Sequence, residues 1–220
     1  ADAFLQRLGI RRARSLPVFL ESLKLAHQFG PLSSNRIASI SCSGGEAALA
    51  ADTAQGTGLI FPPLNPRQAK DLSAALGPMV AMANPLDYHT YIWRDQAAMT
   101  QAWAAMADDE IAMTLLVSDY PRADLCDASD WECVTQAAIE ATRRTGRPYA
   151  VVASLAELLP EQTAKTLMDH GVGAIHGLDH GLEALNVMSR PMAPPAEPVL
   201  LPGIDRDAEL VDEQSAKLAL

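Results

Sequence analysis

The feature that most constrains this chain is the run Ile111-Ala112-Met113-Thr114-Leu115-Leu116-Val117. It is almost unbroken in apolar character, so as a strand it offers water neither face and must be covered on both. It is one of several short β-rich runs separated by longer amphipathic ones. The expected strands are 36–42, 58–61, 79–83, 110–118, 149–154 and 172–175. The expected helices between them are 46–55, 66–76, 96–107, 131–145, 160–170 and 182–189. Such alternation implies an α/β fold, a parallel sheet with helices on both faces and right-handed crossovers.

The ends read differently. Residues 1–30 suggest a helix, a short strand near 10–13, and a helix capped by Ser15 with Pro17 in its first turn. Pro191, Pro194, Pro195, Pro198 and Pro202 mark a stiff, extended linker. A polar helix follows from about 209 to 220. Both ends are expected to be cut from a longer polypeptide.

Composition removes several function classes. A net charge of −10 lacks the footprint of a nucleic-acid binder. The one basic cluster, Arg11, Arg12 and Arg14, is short and reads as a solvated edge. No apolar run approaches the ~18 residues of a membrane span, and the first residues lack the order of a signal peptide. Three cysteines, an odd number without metal spacing, suit a reducing cytoplasm rather than a disulfide framework. His176 and His180 are four apart, but Gly177 and Gly181 are expected to break the helix that would align them, which argues against zinc.

The sharpest local feature is Ser41-Cys42-Ser43-Gly44-Gly45-Glu46, where an apolar strand passes through small residues into an Ala-rich helix. The glycines allow close backbone approach. The first N–H groups of the helix and its dipole face the carboxyl edge of the sheet, where ligands of open α/β folds bind. Ser41 and Ser43 add hydroxyls suited to phosphate oxygens. An ordinary capped strand-to-helix turn is the plainer reading. A nucleophile elbow is a third: Ser43 and Gly45 match part of G-x-S-x-G, with Asp119 or Asp124 and His176 or His180 in hydrolase order, but Ser41 replaces the first glycine. A second polar cluster, Asn84-Pro85-Leu86-Asp87-Tyr88-His89, follows the expected strand 79–83 and makes Asn84, Asp87 and His89 secondary cleft candidates. A proline-set turn with an exposed histidine explains it equally. Cys42, Trp93, Trp103 and Trp131 read as packing residues, and Asp119 and Arg122 as cleft or loop polarity.

Together these segments resemble a known family. The stretch from Ser41 to Asp52 resembles the strand-turn-helix motif of the second flavodoxin-like domain in ADP-forming acetate–CoA ligases, relatives of succinyl-CoA synthetase. Asn84-Pro85-Leu86-Asp87 is similar to that family's Asn-Pro-x-Asp motif. The start, from Ala3 to Ile10, resembles the tail of the preceding flavodoxin-like domain. The end, from Leu210 to Leu220, resembles the opening helix of an ATP-grasp domain. The resemblance implies a doubly wound, flavodoxin-like parallel sheet and four segments. These are 1–30, a tail of the preceding domain; 31–189, the flavodoxin-like ligase domain; 190–206, a linker; and 207–220, the start of an ATP-grasp domain.

It also implies a cytoplasmic ligase joining a small carboxylic acid to CoA with ATP and Mg2+, through an acyl phosphate and a phosphohistidine. Residues Ser41, Ser43, Gly44, Gly45 and Glu46 would present one helix N-terminus to the phosphoryl group. CoA-binding, first flavodoxin-like and ATP-grasp domains would be partners, with homo-oligomers left open and no nucleic acid or membrane. Two departures stand out. Glu46-Ala47 replaces the family's Gly-Pro, and none of the five histidines matches the phosphorylated one, expected just upstream of Ala1. The chain alone is therefore expected to be inactive and to bind no cofactor tightly. The alternatives are a stand-alone anion-binding or interaction module and a Ser43 hydrolase.

Overall fold

A computed structural model describes residues 2–189. The proline-rich linker and the helix expected from about 209 lie outside the described residues. The chain divides into two compact units, Ala1–Ile10 with Met192–Leu220, and Arg11–Pro191. In the first, α1 (Asp2–Arg7) is described.

The sheet of the second unit contains β1 (Ile37–Ser41), β2 (Leu86–Asp87), β3 (Met113–Val117), β4 (Tyr149–Ala153) and β5 (Gly173–His176). The order is β2-β1-β3-β4-β5 and every pairing is parallel. This is the flavodoxin-like order, whose direction of winding reverses between the first and third strands. The helices are α2 (Leu16–Phe29), α3 (Gly44–Ala54), α4 (Pro66–Leu76), α5 (Gln96–Met106), α6 (Glu132–Thr145), α7 (Glu161–Asp169) and α8 (Leu178–Ser189).

The two-residue period of a strand sorts its side chains between two cores. Ala38 and Ile40 of β1, Leu116 of β3 and Val151 of β4 join Leu72 of α4, Met99 of α5, Val134 of α6 and Leu167 of α7 on one face. Ile37, Leu115, Val152 and Ile175 join Val18 of α2, Ala50 of α3 and Leu185 of α8 on the other. All residues of β1, β3 and β4 are buried, as the apolar runs require.

Local chemistry sets the helix ends. Ser15 caps α2 by accepting from the Val18 N–H. Asn65 and Gln68 form a reciprocal capping box on α4. α2 buries Val18 and Leu25 but leaves Leu16, Phe19, Leu20 and Leu23, a stripe at helical spacing, 48–68% exposed.

Four sequence expectations are corrected. Residues 10–13 form no strand, and residues 58–61 contribute only a bridge from Ile60 to Arg36. Residues 79–83 are not a strand; the strand of that region is β2, further on. Gly181 lies inside α8 rather than ending it. No helix of the described residues is long and apolar enough to cross a membrane.

Candidate functional site

β1 ends at Ser41 and α3 begins at Gly44, beside the point where the sheet reverses its winding. The connecting turn is braced from within. Ser41 is 1% exposed, and its hydroxyl donates to the Ser43 carbonyl at 3.0 Å. Ser43 is the N-cap, its Oγ accepting from the Gly45 N–H at 3.2 Å. Ser41 therefore holds the turn and faces no cleft, and Ser43 contributes a cap whose hydroxyl lies at the helix mouth. Ser43 is bonded to Gly45 and not to a histidine. His176 is engaged by Lys24 and His180 lies beside Asp179, so the geometry does not assemble the nucleophile elbow with its base.

Gly44 and Gly45 are exposed at the start of the helix. A Cβ on Gly44 would stand 3.2 Å from Asp87 Oδ2, and one on Gly45 would stand 3.4 Å from Ser43 Oγ. The bare backbone at Gly44 is what lets β2's Asp87 approach the helix mouth. Asp87 is itself fixed by the His89 N–H, which donates to Oδ1 at 2.8 Å. That bond accompanies a left-handed His89 backbone, φ 55°. The His89 ring lies 3.5 Å from Asp87 Oδ2 and leans on Tyr91.

Glu46 occupies the first turn of α3. Its Oε2 is buried without a hydrogen-bond partner. Burial first, then the nearby charges of Asp119 and Asp87, push its carboxyl up to about 7. Asp119 follows β3 across the reversal point and is locked by Ser154, whose N–H and hydroxyl donate to its two oxygens at 2.6 and 2.5 Å. Cys42 is half-buried, and desolvation followed by Glu46 raises its thiol, so it is a packing residue rather than a thiolate.

The structure thus brings Ser43, Gly44, Gly45, Glu46 and Asp87 together, with His89 alongside. Asn84 is elsewhere. Its amide donates to the carbonyls of Ile37 and Pro62 and accepts from the Ser39 N–H, which commits it to the β1 backbone. Asp119 joins the site, whereas Arg122 pairs with Asp124 at the surface. The sequence signal for Asp119 was its position directly beyond a buried parallel strand.

The arrangement combines an anion-favouring helix start with three carboxyl groups, one of which changes charge near neutrality. Such a mouth can accept a phosphoryl group through backbone N–H groups when Glu46 is protonated and donating, and it repels one when Glu46 is ionised.

No protein-family model matches the chain, and no curated protein matches it. Solved structures do. The PH0766 protein of Pyrococcus horikoshii OT3 superposes with a TM-score of 0.70 at 18% identity, over 86% of this chain and 42% of that one. A dinucleotide-forming acetyl-coenzyme A synthetase 1 of Ca. Korarchaeum cryptofilum, in its apo form, gives 0.66 at 14% identity, over 85% and 40%. The same synthetase in complex with phosphate and ADP gives 0.67 at 14% identity, over 85% and 39%. The chain shares their fold. It spans about two fifths of the length of each of these larger chains.

Proposed function

We propose that this chain is the second flavodoxin-like domain of an acyl-CoA synthetase of the nucleoside-diphosphate-forming kind. In this reading the N-terminus of α3 forms one wall of the phosphoryl-handling site. The observation that carries it is the position of that helix start, at the reversal point of a sheet shared with an acetyl-coenzyme A synthetase captured with phosphate and ADP.

Phosphoryl transfer asks a protein mainly for positioning and charge stabilisation. The helix dipole and the N–H groups at residues 44 and 46 supply fixed positive charge, that of Gly45 being taken by Ser43 Oγ. Gly44 keeps the approach open, Ser43 presents a hydroxyl, and protonated Glu46 donates a further hydrogen bond. Burial first, and then the negative charges of Asp119 and Asp87, keep that proton on Glu46. His89, bonded through Asp87, sits at the rim rather than at the helix mouth.

The resemblance implies ATP, CoA and Mg2+. Among the described residues no group of three His, Cys, Asp or Glu side chains is arranged to hold a metal ion, so Mg2+ is assigned to no residue here. ATP and CoA are assigned to the companion domains, and the phosphorylated histidine to a partner segment.

The test is Gly44→Val in the full-length protein. Its side chain fills the space between Gly44 and Asp87. Incorporation of labelled phosphate from ATP should fall roughly a hundredfold, comparable to losing one preorganised contact because the blocked approach keeps the phosphoryl group off the helix start, with circular dichroism and melting temperature retained. Incorporation at the wild-type rate would sink the reading.

A further inference from the structure

A second titratable cluster lies away from α3, where α2 crosses the end of β5. Lys24 of α2 has three ammonium protons, and three acceptors meet them. These are the Ala174 carbonyl at 2.9 Å, His176 Nδ1 at 3.0 Å and Glu21 Oε1 at 2.9 Å. An ammonium can bond to Nδ1 only if that nitrogen is bare, so His176 is neutral and carries its proton on Nε2. Glu21 is 6% exposed, and its Oε2 has no hydrogen-bond partner. Its Oε1 is 3.8 Å from His176 Nδ1. The Lys24 side chain, by contrast, is 30% exposed and has a route to water.

These contacts describe one of two arrangements. If His176 gains a proton at Nδ1, the bond from Lys24 becomes a close contact between two cations. A group placed to receive the new N–H is the under-used Glu21 carboxylate, whose Oε1 already lies 3.8 Å away. We propose that His176, Lys24 and Glu21 form a proton-operated swap: on protonation His176 turns from Lys24 to Glu21, Lys24 gives up its bond to the ring and turns that hydrogen to solvent, and α2 loosens from the end of β5. One proton is taken up at Nδ1, one Lys24 hydrogen bond is lost, and the orphaned Glu21 oxygen gains a donor.

The charged groups facing His176 are Lys24 and Glu21 from α2. Asp179 and His180, at the start of α8, lie against each other at 3.7 Å. Burial and then Lys24 lower the affinity of His176 for a proton, while Glu21 opposes them. A histidine whose folded-state pKa lies below its unfolded value stabilises the fold above about 6.5. That contribution is lost as pH falls from there through the folded pKa. The swap therefore acts on acidification.

Amide hydrogen exchange of the full chain tests this, corrected for the intrinsic pH dependence of exchange. Between about pH 8 and about pH 5 the protection of amides 24–29 should fall by about tenfold or more. In His176→Asn, whose amide oxygen can accept from Lys24 but does not titrate, it should stay level. Nitrogen-15 spectra of the wild-type ring should show the Nε2–H form at high pH, and Lys24→Met should raise the titration midpoint. Equal loss of protection in His176→Asn, level protection in the wild type, or an Nδ1–H ring at high pH would each overturn the proposal.

Discussion

At the N-terminus of α3, Glu46 holds a carboxyl group pushed up to about 7 by burial and by its two acidic neighbours. The unfolded chain ionises the same group near the ordinary glutamate value of 4.5, so the folded state binds the extra proton between these values. The associated stability is present below about 4.5 and lost as pH rises through about 7. Glu46→Gln should therefore stabilise the chain most at pH 8. After discounting for the screening of a half-buried group, the gain is about 1 kcal/mol, or roughly 2–4 °C in melting temperature. Thermal melts at pH 5 and pH 8 check it, the difference from wild type shrinking at the lower pH. The same substitution keeps a donor at the helix mouth above neutral pH. It should hold anion affinity level between pH 6 and pH 8 where the wild type loses it, as a phosphate titration by calorimetry would measure. Much of this site was legible in the sequence, because an apolar run entering Ser-Gly-Gly leaves few alternatives to a strand, a turn and a helix start. Two residues resisted reading. Asn84 looked like a cleft residue, but polar chemistry alone does not distinguish a side chain facing a ligand from one facing a neighbouring backbone. Asp119 read equally as cleft lining or loop polarity, because the Ser154 that fixes it lies on a different strand end.

At the scale of elements, close packing decides more than propensity. α8 crosses β5 at Gly181, where an added Cβ would stand 2.4 Å from Ile175 Cγ2. Gly181→Ala should cost about 1–3 kcal/mol by overpacking although alanine is the better helix former. A urea denaturation series would show the lowered midpoint, and a more stable variant would contradict the packing described here. The same crossing explains why Gly181 reads as a helix breaker yet sits within one. Long helices were legible because their periodicity persists over several turns, and the buried strands β1, β3, β4 and β5 because each is a short continuous apolar run. The edge of the sheet beside β1 was not. Ile37 donates to Ile60, Asn84 then serves Ile37 and Ser39 through its side chain, and only at Ile40 does Leu86 take over. A two-residue strand has no measurable period, and a side chain standing in for a strand has none at all. Met79 to Met82, apolar enough to suggest a strand, has no open β1 backbone left to pair with.

Over the whole molecule, a net charge of −10 on 220 residues makes self-repulsion a term in stability. Raising the salt from about 10 mM to about 150 mM shortens the Debye length from ~30 Å to ~8 Å. The melting temperature should rise with it. A fall would place the balance of charge interactions on the attractive side. Another property follows from the strand order. β1 is made first of the five, yet both of its neighbours are made later. Its partner Met113 leaves a ribosome several seconds after Ile37, at ~5–20 residues per second. During that interval the flank of Ile37 and Ile40 that β3 will take has no hydrogen-bonding partner. The strand that ends at the candidate site is thus the one most exposed to wrong partners during synthesis, and its safety depends on how quickly the rest of the chain arrives.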